Sequence, residues 1–197
     1  MKQIKYIHII FILIICISAC ETNNNIKSDN NFFNQEYQHS KKEFPDSLTK
    51  HFPEKLNEEN VFYSTSINNK PKEILYLIVA NKLTNKNKTE LNNLKYTSDT
   101  CIIKIYIERN TYGFNKKGLG KCKSYIPAPD YSLLIFDDNK QKPDDLKYYV
   151  LQTSHHIFIN HELYLRYYLP DEWKNGMSRG IAVSEKEKKI YYWLIMW

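Results

Sequence analysis

Arginine is almost missing from this chain: of 28 Lys+Arg residues only Arg109, Arg166 and Arg179 are arginine. The guanidinium fork is what reads guanine and phosphate bidentately, so a lysine-dominated charge argues against a nucleic-acid partner and for solvated lysine faces. Glycine is scarce too, with five in 197 residues, three of them (Gly113, Gly118, Gly120) in one loop. That loop does not make a phosphate-binding P-loop, which needs Lys directly after its second glycine and then Ser or Thr; here Leu119 follows Gly118 and Cys122 follows Lys121. Long apolar runs are also lacking. The longest, Tyr6 to Ala19, has 14 residues, short of the roughly 17–25 of a membrane-spanning helix.

That run has its own pattern. Lys2 and Lys5 precede it, Tyr6 to Ile15 is nearly all Ile, Leu and Phe, and Ile17-Ser18-Ala19-Cys20 closes it. A charged start, an apolar centre and small residues at the cut describe a secretory signal. Ile17-Ser18-Ala19-Cys20 resembles the lipobox of bacterial lipoproteins. The resemblance implies diacylglycerol on Cys20, cleavage after Ala19 and a further acyl chain (palmitate or similar) on the new amino terminus. Two or three chains hold a protein firmly where one is marginal. Glu21, not Asp, occupies the position after the cysteine. The resemblance therefore does not invoke inner-membrane retention, and points to the outer membrane in a Gram-negative envelope.

Removing residues 1–19 leaves 178 residues with a formal charge of +4 instead of +6, the size of one domain plus a tail. Cys16 leaves with the signal and Cys20 takes the lipid. Cys101 and Cys122 remain, in a compartment where disulfides persist, and pairing is expected; two free thiols are the alternative.

Taken in order, residues 20–43 read as a flexible Asn-rich tether, with too little apolar surface to offset ordering entropy, although Phe32-Phe33 could dock back. Residues 44–197 read as a single globular domain. A short helix is expected from Ser47 to His51. Strands follow at Val61–Ile67, Ile74–Ala80 (or part of a helix), Cys101–Ile107, Tyr131–Phe136 and Tyr148–Thr153. Residues 81–99 read as a long loop or a short helix near Thr89–Leu94. Tyr125-Ile126 is a short strand broken by Pro127-Ala128-Pro129-Asp130. Asn160 caps a helix through Leu169. Gly176 and Gly180 bracket a turn, and Gly180–Ser184 with Ile190–Met196 makes a C-terminal β-hairpin whose last strand is apolar on both faces, hence central or well covered. No internal repeat stands out. The fold class is α+β, β-rich, with antiparallel sheet and one or two short helices.

Chemistry is thinly signposted. His155-His156 and His161-Glu162 superficially suggest a metal helix, but Leu165 stands where a zincin needs its second histidine. On a strand His155 and His161 are about 20 Å apart, and on a helix they fall on different sides, so no metal or cofactor is expected. Asp171, Glu172, Trp173 and Arg179 lie on a loop rich in polar groups, where function concentrates, or simply feed the last hairpin. Ser178 has no glycine-flanked nucleophile elbow. With 16 Tyr, 9 Phe and 3 Trp, exposed rings on a β scaffold suit a glycan or an envelope or surface protein. The expected function is a non-catalytic binding domain on a lipid anchor. The alternatives are an envelope hydrolase using His155, His156 or His161 with Asp171 or Glu172, and a structural envelope protein.

Overall fold

The computed structural model describes residues 30–57, 59–64, 74–108, 111–115, 121–122, 125–137, 139–155 and 176–197. The signal segment, Cys20, His156, His161, Asp171, Glu172, Trp173 and the Asn160–Leu169 helix lie outside the described residues.

The chain folds as a β-rich α+β structure around a five-stranded antiparallel sheet. The strands are β1 (Val61–Ser64), β2 (Leu75–Lys82), β6 (Lys147–Ser154), β7 (Met177–Ser184) and β8 (Lys189–Met196), in the order β1-β2-β8-β7-β6. The doubly apolar strand is the central one. Tyr191, Trp193, Ile195 and the following Trp197 face one core; Ile190, Tyr192, Leu194 and Met196 face the other. Strand β2 repeats this division, with Tyr76 and Ile78 on the first side and Leu75, Leu77 and Val79 on the second. A strand with no polar face has to sit in the middle of such a stack. The β7–β8 hairpin closes with Ser184 opposite Lys189.

The first core is covered by a three-stranded sheet, β4-β3-β5, made of β3 (Ile102–Glu108), β4 (Thr111–Asn115) and β5 (Ile126–Pro129), in which β3–β5 is parallel and β3–β4 antiparallel. The second core is covered by α1 (Asn30–Lys42), α2 (Asp46–Thr49) and α3 (Asn85–Leu91).

Helix α1 corrects the tether. Residues 30–42 belong to the domain, because Phe33, Asn34 and Tyr37 recur at helical spacing on one side. Tyr37 is fully buried and its hydroxyl donates to the Pro53 carbonyl at 2.7 Å. Asn34 clamps both backbone groups of Leu56, at 2.7 and 2.8 Å. The Phe33 ring meets Phe62 edge-on at 5.0 Å, whereas Phe32 stays exposed. An Asn-rich composition hid a helix whose anchors are hydrogen bonds as much as apolar area.

Tyr131–Ile135 is a helix, α4, and not the expected strand. Asp130 caps it, accepting from the Leu133 N–H, and Phe136 ends it in the left-handed conformation at φ 52°. The two prolines before it lie within β5 instead of breaking it. They are tolerated because β5 is an edge strand. Helix α3 begins earlier than expected, where Thr84 and Asn87 form a reciprocal capping box. Gly176 and Gly180 do not bracket a turn: Gly176 directly precedes β7 and Gly180 lies inside it.

Cys101 ends a short 3-10 turn (Asp99–Cys101) instead of opening the strand, and it is disulfide-bonded to Cys122. Since Ile102 pairs with Ile126, the bridge ties together the entrances of β3 and β5. Opening it with Cys101→Ala and Cys122→Ala should cost about 3 kcal/mol by the loop-closure argument. Chemical denaturation of the double variant checks this; an unchanged midpoint would mean that the strand pairing alone holds the entrance.

Candidate binding cleft

Three strands build a dent in the sheet surface. Val61, Ala80 and Tyr191 lie in one cross-strand row, Val61 opposite Ala80 and Ala80 opposite Tyr191. A methyl group between two larger side chains leaves a hollow on the face that carries Tyr191. From the next row, Tyr63–Ile78–Trp193, Tyr63 walls it on one side, and Ile135 of α4 leans over it. The resulting cleft holds about 400 Å³ and is also lined by Lys140, Glu187 and Lys189.

Glu187 sits in the turn of the β7–β8 hairpin. Its backbone N–H donates to Ser184 Oγ at 3.1 Å, and Ser184 Oγ in turn donates to Asp145 at 2.8 Å. Lys188 takes φ 54°, which closes the turn. So held, the Glu187 carboxylate meets three donors. The Tyr131 hydroxyl lies 2.7 and 2.6 Å from its two oxygens, the Tyr191 hydroxyl 2.9 Å from Oε2, and Lys140 Nζ 3.2 Å from Oε1. Burial pushes this carboxyl up, but hydrogen bonds from Tyr131, Tyr191 and Lys140 together outweigh it and leave it below the usual range. Burial pushes both tyrosyl hydroxyls up, helped at Tyr131 by its hydrogen bond to Glu187 and at Tyr191 by hydrogen bonding with Tyr131 and then Glu187, so both stay protonated. A carboxylate kept ionised and saturated with donors is a poor general base, which needs a pKa near the working pH. Lys189, half-buried at the cleft, makes no ion pair among the described residues.

A second polar cluster lies under the disulfide. Asp99 pairs with Lys104, and with Lys142 at 2.9 Å. Lys104 Nζ stands 3.8 Å over the centroid of the buried Tyr148 ring, a cation–π geometry. Burial pushes the Lys104 ammonium down to about 8, against the pull of Asp99. This cluster joins the 3-10 turn to β6 and serves packing.

Of the candidate site residues read from sequence, Arg179 and His155 lie among the described residues. Arg179, on β7, donates to the Ser47 and Leu48 carbonyls at 2.8 and 3.0 Å, capping the end of α2. His155 is exposed just beyond the end of β6. Among the described residues no group of three His, Cys, Asp or Glu is placed to hold a metal ion, and no helix is long and apolar enough to cross a membrane. Sequence reasoning missed Glu187, Lys189, Tyr191, Tyr131 and Lys140. The alternating-charge turn Glu185-Lys186-Glu187-Lys188 was visible, but nothing local said that Tyr131, 56 residues away, would close over it. No family model, no curated protein and no solved structure matches this chain.

Proposed function

We propose that this chain is a lipid-anchored protein of the bacterial envelope whose domain binds a partner and does not transform it. The observation that carries the binding half is the saturated Glu187 carboxylate. The cleft's one acid has its proton-accepting capacity taken up by two tyrosines and a lysine, while a hollow and a lysine beside it stay available. Arg179, one of the loop residues that the sequence offered for a site, is committed to the α2 carbonyls. The anchoring half is supported by Ile17-Ser18-Ala19-Cys20.

Metabolic labelling with a palmitate analogue tests the anchor. The full chain should incorporate label and partition with membranes, and Cys20→Ser should lose both. Label retained in the Cys20→Ser chain sinks the proposal. Protease shaving of intact and lysed cells then assigns the face of the membrane on which the domain stands.

A further inference from the structure

We infer that the cleft at Ala80 takes a small amphiphilic anion, its apolar chain seated in the hollow and its carboxylate or phosphate head on Lys189. The inference rests on the binding reading above and supplies the ligand class.

The body of the ligand is dictated by the floor. Val61, Ala80 and Ile135 offer apolar surface, and Val61 is 43% exposed on an edge strand. An exposed valine beside a hollow is uncovered apolar area, and burying it favours an alkyl or aryl group. At about 400 Å³ the cleft is at the small end of ligand sites, so a single short chain fits it better than a folded peptide segment.

The head of the ligand is dictated by charge. Two ammonium groups and one carboxylate border the cleft. Lys140 is shared between Glu187 and the face of Tyr131, 5.7 Å from the ring centroid. Glu187 is already engaged by Tyr131, Tyr191 and Lys140, and both tyrosyl protons are aimed at it. The side chains therefore leave little acceptor capacity for the hydroxyls of a sugar or the protons of an amine. What remains unneutralised is Lys189, adjacent in the chain to the αL residue Lys188 and one position before β8 turns apolar. An uncompensated ammonium beside an apolar hollow is complementary to an anion carrying a hydrocarbon body.

The test is equilibrium dialysis of the full chain in zwitterionic nanodiscs, with empty nanodiscs subtracted, against octanoate, octyl phosphate, octanol and octylammonium. The expected result is saturable binding of octanoate, octyl phosphate or both, at one per chain, with octanol at least tenfold weaker and octylammonium undetected. A preference for the carboxylate indicates a free fatty acid as the natural source, and a preference for the phosphate a lipid headgroup. Lys189→Gln should weaken anion binding about tenfold, the loss of one charge-assisted contact. Val61→Glu, on the exposed edge and so tolerated by the fold, should abolish it by placing a carboxylate in the hollow, and Ala80→Phe should abolish it by filling the hollow. Octanol or octylammonium binding as tightly as octanoate, or anion binding unchanged in both Lys189→Gln and Val61→Glu, overturns the inference. A chain that incorporates palmitate at Cys20 yet binds neither anion overturns this inference alone, whereas a chain that binds octanoate without taking lipid overturns the anchor alone.

Discussion

Gly180→Ala should destabilise the protein by about 3 kcal/mol, the upper end of what overpacking a core costs. A Cβ at this position falls 2.4 Å from Trp193 Cζ2 and 2.4 Å from the Tyr149 carbonyl oxygen, with Trp193 Cη2 at 2.6 Å. Neither neighbour yields easily. The indole is fully buried, stands edge-on to Tyr148 at 5.9 Å, and lies with Nε1 3.4 Å from Ser178 Oγ. The carbonyl belongs to β6, hydrogen-bonded alongside. For a chain of this size the loss corresponds to a melting temperature lower by roughly 10 °C. Thermal denaturation followed in the far-UV, with near-UV circular dichroism reporting the tryptophan environment, checks it. A drop under about 2 °C would mean that the indole slides aside without cost. Glycine here has nothing to do with turn geometry: it makes room for the largest side chain of the central strand to cross its neighbour.

The second large effect is loss of stability in mild acid through His51. Its Nε2 lies 3.0 Å from the Trp193 carbonyl oxygen, and its Nδ1 is buried with no hydrogen-bond partner. Burial pushes this imidazole down to about 4; the Trp193 carbonyl opposes that, and the Arg179 guanidinium adds to it. The neutral tautomer carrying its proton on Nε2 is the form that fits. The unfolded chain takes up the proton at about 6.5 and the folded chain only at about 4. The stability due to neutral His51 is therefore complete above pH 6.5 and disappears as pH falls from 6.5 to 4. Roughly 1.4 kcal/mol per pKa unit makes that loss about 3 kcal/mol. His51→Gln keeps a donor for the Trp193 carbonyl and removes the titration. Urea unfolding at pH 7.5 and at pH 4 should show the parent chain losing about 3 kcal/mol more than the variant. Other titrating groups largely cancel in that difference. Equal losses in the two chains would mean that His51 accepts its proton in the folded state without strain.

The same contacts explain why Arg179 drew attention from sequence for a reason that did not hold. An arginine on a polar, glycine-containing loop suggests a ligand contact. In the fold it reaches from β7 to the end of α2, beside His51, and holds the helical layer onto the sheet. Its sequence neighbourhood said polar loop; its register on β7, opposite Gln152 and Leu194, placed it under a helix.

Local patterns that depend on one strand at a time were legible. Alternation marked β3, the unbroken apolar run marked β2, and the doubly apolar terminal segment marked the central strand β8, because burial on both faces is a property that a strand's own residues record. The cysteine pair was legible for a different reason: with Cys16 and Cys20 read as part of an expected export segment, only one pairing is left. Elements whose character depends on a few polar contacts were not. Helix α1 is held by Asn34, Tyr37 and Phe33 with polar residues between them, and its composition imitates a linker. Helix α4 has the β-rich look of Tyr131–Ile135, but the Asp130 cap and the left-handed Phe136 decide the backbone there.

By itself, then, the sequence determined the number of strongly apolar strands and which of them must be buried twice. Both are written in consecutive residues. The tertiary structure alone decided the cleft. A hollow arises when a small residue falls opposite larger ones in strands far apart in sequence, and Val61, Ala80 and Tyr191 become neighbours only through the β1-β2-β8 register. Glu187 likewise becomes a locked carboxylate, and Lys189 the unneutralised charge beside it, only when α4 brings Tyr131 over the hairpin turn. Register and packing are relations between distant segments, so the chemistry they create has no local signature to read.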